Sequence, residues 1–357
     1  MAYPLIIFGA GASFDYSPED TRKRISPLTK NLADSKFLFP DLLKKYEGVG
    51  DLLSGLVHQV RNNKETFESA LSKIQERSSG SDIMQSKFVA LEFYLQDLFQ
   101  RISNVSEVYN GISKEEKLRV SQINNYRVII SHLNTYTKGT GCIVTFNYDS
   151  LFENNLPKEL KPIKIEDYIQ NKLKLIKLHG SHDWRYIHRK SDIIMTGIYI
   201  DKNTETFELF MKYPDLFKKI QANEKYTPYH IDEINGNSRR NEFHTLPALA
   251  IPIIGKDKYI CHPKHIEILR QELPNVDRVL IVGWRAKDPL LLEMLQQRLP
   301  KDNCKILIIS NTKAGADAIK KTIWKIVKIN NDNIETRGGG FSNFIANEIS
   351  HTFFSDK

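Results

Sequence analysis

Leu5-Ile6-Ile7-Phe8 is an uninterrupted apolar run, and it stops at Gly9-Ala10-Gly11-Ala12-Ser13. A short apolar run closed by small residues is the pattern of a strand buried on both faces, with a tight turn at its carboxyl end. Burial on both faces requires helices on both sides of a parallel sheet, so this feature predicts an α/β chain. The pattern recurs. Cys142–Thr145 runs into Phe146-Asn147-Tyr148-Asp149, Val279–Val282 into Gly283-Trp284-Arg285, and Ile306–Ile309 into Ser310-Asn311-Thr312. Leu173–Leu178, ending at His179, and Ala248–Ile254 read as further strands. The expected fold is a Rossmann-like, doubly wound parallel sheet.

The first two core strands are separated by far more chain than a crossover helix of about a dozen residues needs. Phe88, Leu91, Leu95, Leu98 and Phe99 recur at helical spacing there, as do Leu118, Ile123, Val128, Ile129 and Leu133. A large helical insertion over 19–139 is therefore expected, ended by Gly139-Thr140-Gly141. Residues 190–245 are polar, without sheet period, and carry turn-like stretches such as Asn203-Thr204-Glu205-Thr206 and Asn235-Gly236-Asn237-Ser238. They read as a second insertion or loop region. Residues 1–18, 140–189 and 246–357 remain as the nucleotide-binding core.

At 357 residues and 41% hydrophobic content the chain can bury a sizeable core. It shows no signal-like N-terminus and no apolar run of membrane-span length, so a cytoplasmic protein with no membrane partner is expected. Cys142, Cys261 and Cys304 are scattered and form no CxxC pair, which supports neither a zinc module nor a disulfide framework. The net charge of +8 is spread out, its small clusters being Arg22-Lys23-Arg24, Arg239-Arg240 and the stretch with Lys320, Lys321, Trp324 and Lys325. A mildly basic solvated surface accounts for this better than direct nucleic-acid binding, and it would also attract an anionic dinucleotide.

Ligands of doubly wound sheets sit beyond the carboxyl ends of the strands, where this chain's polar candidates lie. Gly9, Ala10, Gly11 and Ser13 form a turn that a pyrophosphate can approach closely; the plain alternative is a turn without a ligand. Asn147 can orient a ribose or a water, and Asp149 can accept a hydrogen bond from a carboxamide, yet both residue types also make Asx turns. His179 can serve as a general base, or be a satisfied structural histidine. Gly283 and Trp284 offer a backbone turn to a phosphate or adenosine, and Arg285 can pair with a phosphate. Asp288-Pro289 also fits a helix start, and Asn311 a helix cap. A His179–His182 metal pair lacks further ligands. The coincidence of these features at strand ends points to one dinucleotide cleft.

The chain resembles the SIR2-like (sirtuin) superfamily, and its bacterial anti-phage defence branch more than the protein deacylases. The matching pieces, in family order, are Gly9–Ser13, Thr145-Phe146-Asn147-Tyr148-Asp149, Lys177-Leu178-His179-Gly180-Ser181 with Trp184, Val282-Gly283-Trp284 through Asp288, and Ser310-Asn311. The resemblance implies hydrolysis of NAD, as substrate, to ADP-ribose and nicotinamide. Gly9–Ser13 would hold the pyrophosphate, Asn147 the nicotinamide ribose and an attacking water, and Asp149 would face the carboxamide. His179 would be the base, with Gly283, Trp284 and Asn311 at the adenosine end. The four-cysteine zinc module of the deacylases is missing, Phe14-Asp15-Tyr16-Ser17-Pro18 stands where they carry Gly-Ile-Pro-Asp-Phe-Arg, and Arg285 replaces a small hydroxyl residue. The branch implies a defence effector that depletes NAD on phage infection, controlled through homo-oligomerisation or a partner protein encoded nearby. ADP-ribosyl transfer, deacylation and a non-catalytic nucleotide- or nucleic-acid-binding module are the alternatives.

Overall fold

The computed structural model describes residues 2–16, 26–34, 38–78, 80–104, 124–191, 205–223, 226–236, 242–253, 259–347 and 349–355. The apolar runs become β1 (Pro4–Phe8), β2 (Gly141–Thr145) and β3 (Leu173–Lys177). The second half of the chain holds β7 (Arg278–Val282) and β8 (Lys305–Ile309). They join β9 (Ile334–Arg337) in one sheet of order β3-β2-β1-β7-β8-β9, parallel at every pairing. Ile6 of the central β1 lies opposite Ile143 of β2 and Leu280 of β7, and all three are fully buried. The chain runs outward from β1 in both directions, so the topology reverses between β1 and β7. That crevice, beyond the ends of those two strands, is where an open α/β sheet binds its ligand.

β9 was not foreseen. Its Ile-Glu-Thr-Arg sequence alternates buried and exposed at a sheet edge, so it lacks the continuous apolar run of the inner strands. The expected strand over Ala248–Ile254 is corrected. β6 is Phe243–Leu249, it pairs antiparallel with β4 (Gly180–Arg189), and residue 254 lies outside the described residues. With β5 (Tyr229–His230) these two form a separate sheet of order β5-β4-β6.

Most of the described chain between β1 and β2 is helical, including Pro40–Lys45, Val49–Asn63, Phe67–Arg77, Asp82–Ser103 and Asn125–Thr137. Leu118, Ile123 and the Arg22–Arg24 cluster lie outside the described residues. Asp82–Ser103, capped by Ser81, is buried along most of its length, because it packs against β4, β6 and the Thr206–Lys212 and Pro214–Ala222 helices. The polar 190–245 stretch thus contributes helices to the core. Asn203, Thr204, Asn237, Ser238, Arg239 and Arg240 lie outside the described residues. No described helix is long and apolar enough to cross a membrane.

Candidate active site

The β1 and β7 turns interlock at the switch point. Gly9 N–H donates to the Val282 carbonyl at 3.0 Å, and Gly11 N–H to that of Gly283 at 3.4 Å. Gly283 has φ +66°, and a Cβ there would stand 2.5 Å from the Ala12 nitrogen and 2.6 Å from the Gly11 carbonyl carbon. Only glycine permits that conformation and that approach together. The amides of Gly9, Gly11 and Ala12 are therefore spent inside the protein, Ala12 N–H donating to the Gly9 carbonyl. What Gly9, Gly11 and Gly283 leave to a ligand is close approach to backbone that carries no side chain.

Three adjoining compartments open along this backbone. The largest, about 460 Å³, is lined by Gly9, Ala10, Gly11, Tyr148, His179, Gly283, Trp284, Arg285 and Asp288 among others. Thr66 and Glu68, from the start of the Phe67–Arg77 helix, also line it. A second, about 330 Å³, shares Gly11 and Gly283 with it and carries Asn311 and Lys30. A third, of about 30 Å³, shares Ala10, Phe146 and Tyr148 with the first and carries Asn147 and Asp149. The two larger volumes fall within the ordinary range for small-molecule sites. Asn311 is exposed here because Thr312, not Asn311, caps the Lys313–Val327 helix. Ser13 does not line these compartments; it is fully buried and faces Asn147 and Asp149.

His179 follows β3, with its ring edge on Phe146 at 4.8 Å between centroids. Phe146 in turn stacks on Trp284 at 5.5 Å and 5°. His179 Nε2 lies 3.6 Å from Asp288 Oδ2. The other oxygen of Asp288 accepts from Tyr259 Oη at 2.7 Å and from Leu291 N–H at 2.8 Å, capping the Pro289–Arg298 helix. Burial alone would raise the Asp288 carboxyl, but the His179 ring, the Tyr259 hydroxyl and the Leu291 amide outweigh it and hold it below the usual range. The sequence reading of Asp288 as a helix start is correct as far as it goes. Its partnership with His179 joins residues from the ends of β3 and β7, and no local pattern signals it.

Asn147 and Asp149 are both buried. Asn147 Nδ2 donates to Ser13 Oγ at 2.9 Å and to Tyr126 Oη at 3.3 Å, while its Oδ1 has no partner among the described residues. Asp149 accepts from Ser13 Oγ at 3.0 Å, Ser26 Oγ at 3.3 Å and Leu151 N–H at 3.2 Å. Burial raises its carboxyl, against the pull of the nearby Lys177 ammonium. Lys177, itself fully buried, donates to the Asp149 carbonyl at 2.6 Å and to Glu153 Oε1 at 2.7 Å, pinning the loop from below. His182 N–H donates to the Tyr148 carbonyl at 2.9 Å, and the His182 ring, pushed down to about 4 by burial, packs behind the loop against Ser150. Trp184 is a fully buried core residue beside Tyr168 and stands away from the cleft. Among the described residues no group of three or more His, Cys, Asp or Glu side chains is placed to hold a metal ion.

The family model of the SIR2-like domain matches residues 141–330, more than half of the chain and all of the site segments from β2 to Asn311. This chain belongs to the SIR2-like family. Among solved structures it is similar to Sir2Tm bound to a propionylated peptide, at 10% identity over 99% of this chain and 94% of that one, with a TM-score of 0.38. It is also similar to a Sir2 homolog–NAD complex, at 10% identity over 98% of this chain and 89% of that one, with a TM-score of 0.39. No curated protein matches the chain.

Proposed function

We propose that this SIR2-like chain binds NAD along the two larger compartments, its nicotinamide end reaching toward the small third one, and hydrolyses it to nicotinamide and ADP-ribose. One observation supports the reading above the others. The ends of β1, β2, β3, β7 and β8 bring Gly9–Gly11, Asn147 with Asp149, His179, Gly283–Trp284 and Asn311 onto adjoining cavities at the switch point. Adenosine would lie toward Asn311, the pyrophosphate against the bare Gly9–Gly11 and Gly283 wall, with Arg285 as a counter-charge, and nicotinamide toward Asn147 and Asp149. Asp149 would accept from the carboxamide.

In this reaction the bond between ribose C1′ and the nicotinamide nitrogen breaks, and its electron pair leaves with nicotinamide. Water forms the new C1′–O bond, and its proton passes to His179, whose imidazolium faces the Asp288 carboxylate. The oxocarbenium-like transition state requires orientation and electrostatic support more than a strong nucleophile. A carbonyl oxygen on Asn147, a base on His179 and a stacked aromatic wall can supply both. The helical insertion over 19–139 and the 190–245 insertion are read as additions to the core. The first belongs to the active site itself, because it supplies Thr66, Glu68 and Tyr126.

We further infer a cytoplasmic effector that depletes NAD in anti-phage defence, kept silent by its assembly state or by a partner encoded nearby. The test is nicotinamide release from NAD, measured alone and with that neighbouring protein, and with mass spectrometry of the products. Free ADP-ribose supports hydrolysis. A modified protein or nucleic acid would replace it with ADP-ribosyl transfer, and no turnover in any combination would defeat the reading.

A further inference from the structure

The hydrogens around Asn147 can be counted. Asp149 Oδ1 receives the obligate donor Leu151 N–H, so that oxygen is an acceptor, and the Ser13 hydroxyl hydrogen is spent on it. Ser13 Oγ lies 2.8 Å from Tyr126 Oη, and with the Ser13 hydrogen used, Tyr126 must be the donor in that pair. Ser13 Oγ and Tyr126 Oη then both turn lone pairs toward Asn147, at 2.9 and 3.3 Å. Only an NH2 group satisfies two such acceptors, and this assigns the amide orientation from the network. The carbonyl oxygen is left as the free end, buried and unpartnered among the described residues.

We propose that Tyr126 is a positioning residue: with Ser13 it locks the Asn147 amide so that the end left for a ligand is a hydrogen-bond acceptor. The group recognised there is consequently a donor, a water or a ribose hydroxyl, and not a carbonyl. Tyr126 sits on the Asn125–Thr137 helix, 113 positions from Ser13, and is held by edge contacts with Phe8 at 5.0 Å and Phe152 at 5.6 Å. Burial and the nearby Asp149 carboxylate hold its hydroxyl well above the ordinary tyrosine range, so it keeps its proton at neutral pH. The inference rests on the NAD-hydrolysis reading and adds a dependence of the site on the inserted helices.

The test is a double-mutant cycle on nicotinamide release. Tyr126→Phe keeps the ring and its packing and removes only the hydroxyl. It is expected to lower kcat about tenfold, the usual effect of losing one buried hydrogen bond, with KM for NAD within about twofold. In an Asn147→Ala background the same substitution should change nothing further, because Tyr126 acts through Asn147. Ser13→Ala should be only partly non-additive, because Ser13 also donates to Asp149. A merely structural role would give equal losses in both backgrounds, or a loss of melting temperature without loss of kcat, and either result overturns the proposal. If Asn147→Ala itself turns over NAD at the parental rate, the functional reading falls and the inference with it. An impaired Asn147→Ala beside a fully active Tyr126→Phe defeats the inference alone.

Discussion

Asp288→Asn isolates the charge that faces His179. Asparagine retains an Oδ1 that can accept from Tyr259 and from Leu291 N–H, so the helix cap and the phenol contact survive. What disappears is the negative charge 3.6 Å from His179 Nε2. Two unit charges at about 4 Å attract by roughly 4 kcal/mol at an effective dielectric near 20, an upper bound for a pair that is partly open to solvent. Discounted for screening, roughly 1–2 kcal/mol of support for the imidazolium is removed, equivalent to about a tenfold or somewhat larger fall in kcat. The assay is nicotinamide release at saturating NAD, with thermal melting as the control. Asp288→Asn should melt within a few degrees of the parent, whereas Asp288→Ala should lose on the order of 1 kcal/mol more through the missing cap. A parental kcat for Asp288→Asn would refute the reasoning that His179 is a base supported by this carboxylate.

Gly283→Ala should destabilise the chain by roughly 1–3 kcal/mol through its positive φ, and should weaken NAD binding in isothermal titration, because the new Cβ drives the β1 and β7 turns apart. Lys177→Met leaves the buried Glu153 carboxylate without its cation, and a loss of about 3–5 kcal/mol in urea unfolding is expected. Glu92, buried in the Asp82–Ser103 helix beside Gln221, is pushed up to about 8 by burial, so its folded state holds a proton that the unfolded chain releases near the ordinary carboxylate range. Stability should therefore decline as pH rises from that range through about 8, and Glu92→Gln should flatten the decline when unfolding midpoints are compared between about pH 5 and pH 9.

The parallel core was legible because a strand buried on both faces leaves an unbroken apolar run, as in Leu5–Phe8 and Val279–Val282. β4 was not, because Ser181-His182-Asp183-Trp184-Arg185 buries polar groups whose partners are distant: His182 against Ser150, and Asp183 near His230. The cleft residues were legible through their positions at strand ends, which topology alone brings together. Their partners were not. Tyr126 reads as one more apolar position of an amphipathic helix, and its hydroxyl gains meaning only where that helix passes beneath Ser13 and Asn147. Ser13 reads as part of a phosphate turn, but its direction is set by Asp149, 136 positions away.

The central claim is that one dinucleotide spans the compartments from Asn311 to Asn147. The direct measurement is a crystal structure of the His179→Ala chain soaked with NAD. The account predicts adenosine beside Asn311, the pyrophosphate on the Gly9–Gly11 and Gly283 wall, and a ribose hydroxyl or a water within hydrogen-bond reach, about 3 Å, of Asn147 Oδ1. NAD bound elsewhere, or bound here with its nicotinamide ribose away from Asn147, would contradict it.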